Sequence, residues 1–248
     1  KECPGERVRA AEPGGHDADA WRRLSETGAP GMCVPEASGG AGADLAAAAV
    51  VANHVGRTLA PVPLREHIVA TRLIATIAPG HPQLAELVDG TRVAAVALRP
   101  AVGGIAPLVP AGAVADVVVA LDDDRLVLAA DPAPPAPRNT ADLPLGDRDL
   151  EGAETLAAGP TARDVHRRAV TEWQALMAVA LTGLGRRAVE IGVDYAKERH
   201  QFGVLIGTFQ SLQHGLATAI THIHGAHLLS HRAIWSLDSG SPDGDRLL

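Results

Sequence analysis

Aromatic residues are almost missing from this chain of 248 residues, at 2 % of the sequence. Cysteine is as scarce: Cys3 and Cys33 are the only two, too few for a disulfide framework, so we expect reduced, structural thiols. No apolar run exceeds the eight residues of Leu45 to Ala52, whereas a membrane span needs roughly 18. The sequence therefore predicts no membrane span, and we expect a cytoplasmic protein.

An excess of positive charge is also missing, since 22 Lys and Arg stand against 29 Asp and Glu, a formal net charge of −7. Nucleic acids and anionic membranes need a basic face, so neither is an expected partner. What the chain does have is 46 alanines within a hydrophobic content of 46 %. Because alanine is the best helix former, we expect a mostly helical protein.

Local patterns divide the chain into three zones. Residues 1–90 carry helical patterns, among them a helix over Leu45–Leu59 with Asp44 as its expected N-cap and another over Leu64–Ile77. In residues 91–160, short Val/Leu-rich runs predict strands at 92–98, 114–121 and 125–130. Residues 161–248 return to helix, as two long antiparallel helices of an incomplete bundle. We therefore predict a mostly α, α+β protein with a helical domain, a shortened middle β domain and a C-terminal bundle.

The segment between the two long helices is the most distinctive. It runs from Tyr195 as Tyr-Ala-Lys-Glu-Arg-His-Gln-Phe-Gly and continues from Ile206 as Ile-Gly-Thr-Phe-Gln-Ser-Leu-Gln-His. The guanidinium of Arg199, at a helix end, suits a phosphate or a carboxylate, and the neighbouring Phe and Gln suit a ring and its polar edge. The alternative is a helix–helix corner in which Arg199 caps the last carbonyls. We expect Thr208 to cap the second helix.

These residues resemble the signature of the acyl-CoA dehydrogenase family, Tyr-Ala-Lys-Glu-Arg-x-Gln-Phe-Gly followed by Ile-Gly-x-Phe-Gln-x-x-Gln-His. The likeness continues from Arg232 to Gly240. Near the N-terminus, the Val-Pro-Glu-Ala-Ser-Gly-Gly-Ala-Gly stretch that ends at Gly42 is similar to a turn of the same family, and so is Gly56–Pro63. The resemblance covers nearly all of the chain, in order.

The resemblance implies a three-domain fold that binds FAD between the β domain and the bundle, with a dimer partner contributing. It implies α,β-dehydrogenation of an acyl-CoA thioester, an electron-transfer flavoprotein-like acceptor, and a homo- or hetero-oligomer, a dimer or a tetramer. In the family, the motif's arginine contacts the flavin pyrophosphate across the subunit interface, and its Gln and Phe residues line the cofactor. The implied cofactor-binding residues here are Arg199, Gln201, Phe202, Phe209 and Gln210.

Several family features are replaced in this sequence. The flavin loop Thr-Glu-Pro-x-Ala-Gly-Ser-Asp has no counterpart, and the nearest region, Ala97–Gly104, keeps only its Pro and Gly. The late glutamate base lies beyond the last residue of this sequence. The early base position of some members carries Trp173 here, followed by Gln174. Glu172 is adjacent, but a step of one residue turns about 100° around a helix, so it should point elsewhere. The catalytic residues are therefore unknown.

Three functional hypotheses remain open from the sequence. The chain is an enzyme whose C-terminal part is absent from this sequence, or a partner subunit that completes the FAD site of another chain. A third hypothesis is a ligand-binding protein on the same fold without flavin.

A metal site is the least favoured interpretation of the histidines. His224, His227 and His231 share one helical stripe, but no carboxylate or cysteine accompanies them at matching spacing. We expect no metal.

Overall fold

The computed structural model describes residues 3–12 and 14–241. The remaining residues, at both ends of the chain and at position 13, lie outside the described part, although the predicted outer domains include them. The described chain begins with five helices: α1 Gly5–Ala10, α2 Ala18–Ser25, α3 Leu45–Thr58, α4 Leu64–Ile77 and α5 Leu84–Val88.

A β lobe follows the five helices. Its strands are β1 Ala94–Val96, β2 Ile105–Val109, β3 Val117–Asp122, β4 Arg125–Ala129, β5 Gly146–Asp149 and β6 Glu154–Ala158. The main sheet has the order β1-β3-β4-β6, in which β1 and β3 are parallel and the other neighbours are antiparallel. Strands β2 and β5 form a separate antiparallel pair. The lobe is small, and α6 packs against its main sheet.

Two long helices complete the described chain, α6 Gly159–Glu198 and α7 Gln210–Ser239. A short antiparallel hairpin of β7 His200–Gln201 and β8 Val204–Leu205, then a 3₁₀ turn over Ile206–Thr208, joins them. The two helices run antiparallel, since Gly192 faces Leu216 and Gly185 faces Ile223. The predicted fold class, α+β and mostly α, is confirmed.

Helices α3 and α6 touch backbone to backbone. A Cβ on Gly56 would lie 2.0 Å from the carbonyl oxygen of Ala180, and one on Gly183 would lie 2.2 Å from that of Asn53. The contact is reinforced by Asn53, whose amide donates to the Val179 carbonyl at 3.2 Å. Only glycine permits this approach, so the two positions fix how the N-terminal helices sit on α6.

The buried ring of His67 ties α4 to the β lobe. Its Nδ1 accepts from the N–H of Ala94 at 3.0 Å, and its Nε2 lies 2.9 Å from the carbonyl oxygen of Leu87. The ring is therefore neutral, with the proton on Nε2, and burial lowers its pKa to about 4. The Trp21 ring packs edge-on against it at a centroid distance of 5.0 Å.

Several predicted elements are confirmed. The helix over Leu64–Ile77 has the predicted limits, and the Asp44 carboxylate caps α3 by accepting from the N–H of Ala47 at 2.9 Å. The three predicted strands correspond to β1, β3 and β4. The patterns missed β2, which contains a proline, and the short strands β5 and β6, which are poor in large apolar side chains. The three domain limits stay predictions.

Strand β5 has a sequence that is not typical of a strand. It contains Gly-Asp-Arg-Asp, and the side chain of Arg148 points inward, 1 % exposed. Its guanidinium donates to the carbonyl oxygens of Gly112, Ala115 and Asp131. A buried arginine that donates to backbone carbonyls supplies hydrogen-bond partners for the loops around it. Strand propensities do not predict such a residue.

A pair of glycine substitutions in α6 tests the α3–α6 contact. Gly183→Ala should lower the free energy of unfolding by about 2 kcal/mol or more, because its Cβ overlaps the Asn53 carbonyl. Gly192→Ala meets only a leucine methyl at 3.5 Å and should raise stability by up to about 1 kcal/mol through helix propensity. Urea unfolding measures both. Equal effects of the two substitutions would show that the helices do not approach as described.

The neutral state of His67 predicts a pH-dependent stability. At a pH below the ordinary pKa of histidine, His67 is protonated in the unfolded chain but stays neutral in the folded chain. Stability should therefore fall as the pH drops from about 6.5 to about 4, by roughly 3 kcal/mol from this residue. Denaturant unfolding between these pH values should show a shallower slope for His67→Gln than for the wild type. Parallel slopes would contradict the assignment.

Candidate functional site

The hairpin between α6 and α7 ends in a strained two-residue turn. Gln201 pairs with Val204, so Phe202 and Gly203 form the turn, and their φ angles are +56° and +80°. Positive φ at both residues is typical of a type I′ turn, for which asparagine and glycine are preferred. A phenylalanine in the left-handed region is sterically unfavourable, and such strain concentrates at functional sites.

The predicted cofactor residues meet at this corner. Phe202 is 92 % exposed, and its ring contacts that of the half-buried Phe209 edge-on at a centroid distance of 6.2 Å. The side chains of Arg199, Gln201 and Gln210 are also exposed. Within the described residues, the Arg199 guanidinium has no hydrogen bond or ion pair, so it does not cap the last carbonyls of α6. We call these five residues the hairpin corner.

Local backbone contacts hold the hairpin corner in place. The N–H of Ile206 donates to the carbonyl oxygen of Arg199 at 2.8 Å, and the side-chain amide of Gln213 donates to the carbonyl oxygen of Gly207 at 2.8 Å. A Cβ on Gly207 would lie 2.8 Å from the carbonyl oxygen of Ala196, so the 3₁₀ turn sits directly against α6. Thr208 does not cap α7, contrary to the prediction: its hydroxyl donates backward to Leu205 and Phe209 is the N-cap.

Past Gly183, the rest of α6, the hairpin and the facing part of α7 form an exposed arm, residues 184–229, which the ion pair of Arg57 with Glu190 joins to α3. Ala196 is the one buried residue of this stretch. Large apolar side chains are exposed on the arm and beside it: Leu181, Ile191, Tyr195, Val204, Leu228, Leu229 and Trp235. Such a surface is typical of helices that pack against further helices.

A cavity of about 410 Å³, which we call the Glu66 cavity, lies where all three parts of the chain meet. Its walls come from α1 and the residues that follow it, the end of α3, the start of α4, two loops of the β lobe and the Trp173 turn of α6. Most lining side chains are apolar, for example Val8, Val55, Leu59 and Met177. A site of this size and character is typical of small-molecule binding.

The polar end of this cavity is made by neighbouring residues of α4. Glu66 is 4 % exposed, and its Oε1 accepts from the indole N–H of Trp173 at 3.0 Å. An Nη2 of Arg65 lies 3.7 Å from the same oxygen. The second oxygen, Oε2, and the Nε of Arg65 are buried without a hydrogen-bond partner among the described residues.

A second cavity, the Glu172 cavity of about 750 Å³, lies on another side of α6. The Glu172 carboxylate is 3 % exposed and accepts from Arg168 Nε at 3.0 Å, with Arg72 Nε at 3.3 Å. Cys33 also lines this cavity, and burial raises the pKa of its thiol to about 12. The Glu172 carboxylate thus interacts with two arginines. The Cys33 thiol stays protonated at neutral pH.

Two adjacent residues of α6 therefore line different cavities. Trp173 faces the Glu66 cavity and Glu172 faces the other, as the 100° step between them requires. Sequence reasoning missed Glu66, which lies 107 positions from its hydrogen-bond partner. One feature of the sequence could have indicated it: Glu66 lies on the apolar helix Leu64–Ile77, at a position where the helical pattern predicts a buried side chain.

The histidines of α7 make side-chain contacts with α6 and with each other. The rings of His227 and His231 lie 4.3 Å apart, and Arg186 donates to Nε2 of His224 at 2.8 Å. Partial burial and the neighbouring His231, Arg186 and His224 charges lower the pKa of His227. Within residues 3–12 and 14–241, no group of three or more His, Cys, Asp or Glu side chains is arranged to hold a metal ion.

Two family models match the chain on either side of the β lobe. The acyl-CoA dehydrogenase N-terminal domain matches residues 2–80, and the acyl-CoA dehydrogenase C-terminal domain matches residues 164–247. Acyl-CoA dehydrogenase IpdE2 of Mycolicibacterium smegmatis is 32 % identical over 244 residues, which is 97 % of this chain and 74 % of that protein. The chain belongs to the acyl-CoA dehydrogenase family.

Solved structures agree with the assignment to the acyl-CoA dehydrogenase family. A variant of the Tcur3481–Tcur3483 steroid ACAD matches 98 % of this chain and 76 % of its own, with a TM-score of 0.83 and 30 % identity. The ChsE4–ChsE5 complex from Mycobacterium tuberculosis matches 97 % and 74 %, with a TM-score of 0.81 and 25 % identity. Both names carry two components, so structures similar to this chain include heteromeric complexes.

Among the described residues of this acyl-CoA dehydrogenase family member, no helix combines the length and the apolar character that crossing a bilayer requires.

The strain at the hairpin tip can be tested with neighbouring substitutions. Phe202→Gly should raise the free energy of unfolding by up to about 1 kcal/mol, because the left-handed conformation costs glycine nothing and the exposed ring packs little. Gly203→Ala, at φ +80°, should lower it by about 1 kcal/mol. Urea titration measures both. Destabilisation by Phe202→Gly would show that this ring is needed for folding.

Proposed function

We propose that the chain acts in the α,β-dehydrogenation of an acyl-CoA thioester with FAD as the hydride acceptor, and that the hairpin corner holds the cofactor. The carrying observation is the turn itself: Phe202 keeps an unfavourable backbone conformation while its ring lies 92 % exposed. A residue that is strained and packs little within its own chain is best explained by a ligand or a partner outside it.

The residues at the hairpin corner fit a dinucleotide flavin. Arg199 offers a guanidinium without a partner in the described chain, which suits a pyrophosphate. The rings of Phe202 and Phe209 offer apolar faces, and the amides of Gln201 and Gln210 offer donors and acceptors. Because these side chains point out of the chain, the cofactor would lie between this chain and another subunit.

In this proposal each residue has a limited task. FAD, when bound, supplies the electrophilic ring that accepts the hydride. Arg199 neutralises pyrophosphate charge, Phe202 and Phe209 shield the cofactor from water, and the two glutamines orient its polar edges. A carboxylate must remove the α proton. Trp173 cannot do so from the early base position, and Glu172 is held by two arginines in the other cavity.

The alternative function is that of a non-catalytic partner subunit in a heteromeric acyl-CoA dehydrogenase, whose FAD site it completes. Two observations support this alternative: an indole occupies the early base position, and the loop over residues 97–104 lacks the flavin-loop residues. The two-component structures named above are consistent with it. An electron-transfer flavoprotein-like protein is the proposed acceptor in both cases.

The assembly proposed here is a dimer or a tetramer, formed with a second copy or with a related chain. The exposed apolar side chains of the arm would be covered by the helices of that other subunit.

Substitution of Arg199 tests the cofactor assignment. Arg199→Ala should weaken flavin retention by roughly tenfold or more, since hydrogen bonds to charged groups are worth about 1.5–3 kcal/mol. Flavin absorbance per polypeptide after gel filtration, with the chain alone and with a co-expressed partner, gives the readout. Arg163→Ala, an exposed arginine at the opposite end of α6, is the matched control.

The outcomes separate the two functions. Flavin held by the chain alone favours the enzyme, whereas flavin held only with a partner favours the partner subunit. Unchanged retention by Arg199→Ala in both settings would refute the assignment of the hairpin corner.

A further inference from the structure

Three histidines of α7 meet α6 at the base of the arm. His224, His227 and His231 lie on one side of α7, at the spacing i, i+3 and i+7. Arg186 of α6 donates to Nε2 of His224 at 2.8 Å, and the hydroxyl oxygen of Thr182 lies 3.4 Å from Nδ1 of His227. The rings of His227 and His231 are 4.3 Å apart. We call the three rings and Arg186 the histidine cluster.

The geometry of the histidine cluster suits neutral rings. A guanidinium only donates, so Nε2 of His224 accepts from Arg186, and a proton on that nitrogen would break the bond. Nε2 of His231 is buried without a hydrogen-bond partner among the described residues, so a charged ring would place an N–H there without an acceptor. Two charged rings at the separation of His227 and His231 would also repel each other.

Within the described part of the chain, no carboxylate forms an ion pair with the histidine cluster. Partial burial, and then the charges of the other three members of the cluster, lower the pKa of His227. From α3, Asn53 contributes a neutral amide, which donates to the Thr182 hydroxyl oxygen at 3.3 Å. The Glu190 carboxylate of α6 pairs with Arg57 of α3 and with Arg187. Positive charge at the cluster would therefore stay uncompensated.

The helices of the arm have little else to hold them together. Ala196 is the one buried residue of the arm. Where α6 faces α7 it presents two glycines, Gly185 opposite Ile223 and Gly192 opposite Leu216. Small residues bury little apolar area, so burial stabilises this contact only weakly. A change of charge within the contact is large in comparison.

We propose that the histidine cluster is an acid-sensitive latch between α6 and α7, which holds the arm closed when its rings are neutral and lets α7 separate from α6 when they are protonated. The closed arm favours the neutral ring of His227, because its pKa is lowered there. Closure is therefore complete above the ordinary histidine pKa of about 6.5 and is lost progressively below it. The hairpin corner joins the same two helices, so opening would displace it; that consequence alone rests on the proposed function.

Hydrogen exchange in the isolated wild-type chain tests the latch without flavin or a partner subunit, so its failure is separate from a failure of the proposed dehydrogenation. Amide protection factors in residues 210–229, corrected for the pH dependence of intrinsic exchange, should fall roughly tenfold or more between pH 7 and pH 5. A fall of less than about twofold would overturn the proposal.

Glutamine at the three ring positions keeps a hydrogen-bonding side chain that cannot titrate. The triple variant His224→Gln, His227→Gln and His231→Gln should therefore reduce the fall to about twofold or less. The matched control joins His214→Gln and His222→Gln, two exposed histidines of the same helix, and should keep the wild-type fall. Equal falls in the wild type and the triple variant would assign the opening to other groups and overturn the latch.

Arg186→Gln tests the latch with less change to the contact between the helices. Loss of the fixed positive charge beside the rings should reduce the fall to about threefold or less. Arg187→Gln, at the adjacent exposed arginine that pairs with Glu190, is the matched control and should keep the wild-type fall. If the triple variant does not fold, this pair decides, and an unchanged fall in Arg186→Gln would contradict the proposal.

Discussion

The contact between α3 and α6 is the constraint on which the rest of the structure depends. Gly56 faces the carbonyl group of Ala180 across the interface, and Gly183 faces that of Asn53. The two helices can approach this closely because neither position carries a side chain. This contact brings the end of α3 to the turn of α6 that carries Trp173. Both the end of α3 and this turn of α6 line the Glu66 cavity.

The same contact gives α6 its two roles. One face of its N-terminal half packs against the first helices and the β lobe, and this half separates the two cavities through Glu172 and Trp173. Its C-terminal half carries the hairpin corner away from that core. One helix therefore links the interior of the chain to the surface that the proposed cofactor would occupy.

Sequence reasoning predicted the parts that local patterns encode. Asp44 and the apolar spacing of Leu64–Ile77 define their helices by short-range interactions, and the motif around Arg199 is continuous in sequence. The parts that it missed depend on distant partners: Arg148 is stabilised by carbonyls of other loops, and Glu66 by an indole on α6. The expectation for Thr208 failed because its hydroxyl satisfies a nearer carbonyl behind it. At Phe202 the structure breaks a local rule for turns, and this strain supports the proposed role of the hairpin corner.

The arm also makes the stability of the chain uneven along its length. With Ala196 as the one buried residue between 184 and 229, this stretch gains little from apolar burial, whereas the α3–α6 region gains much. Regions with few buried contacts open in local fluctuations that leave the rest of a protein folded. A subunit that covers the arm would suppress those openings, because binding to the folded form shifts the equilibrium toward it. For the arm, assembly and the completion of folding would then be one thermodynamic event.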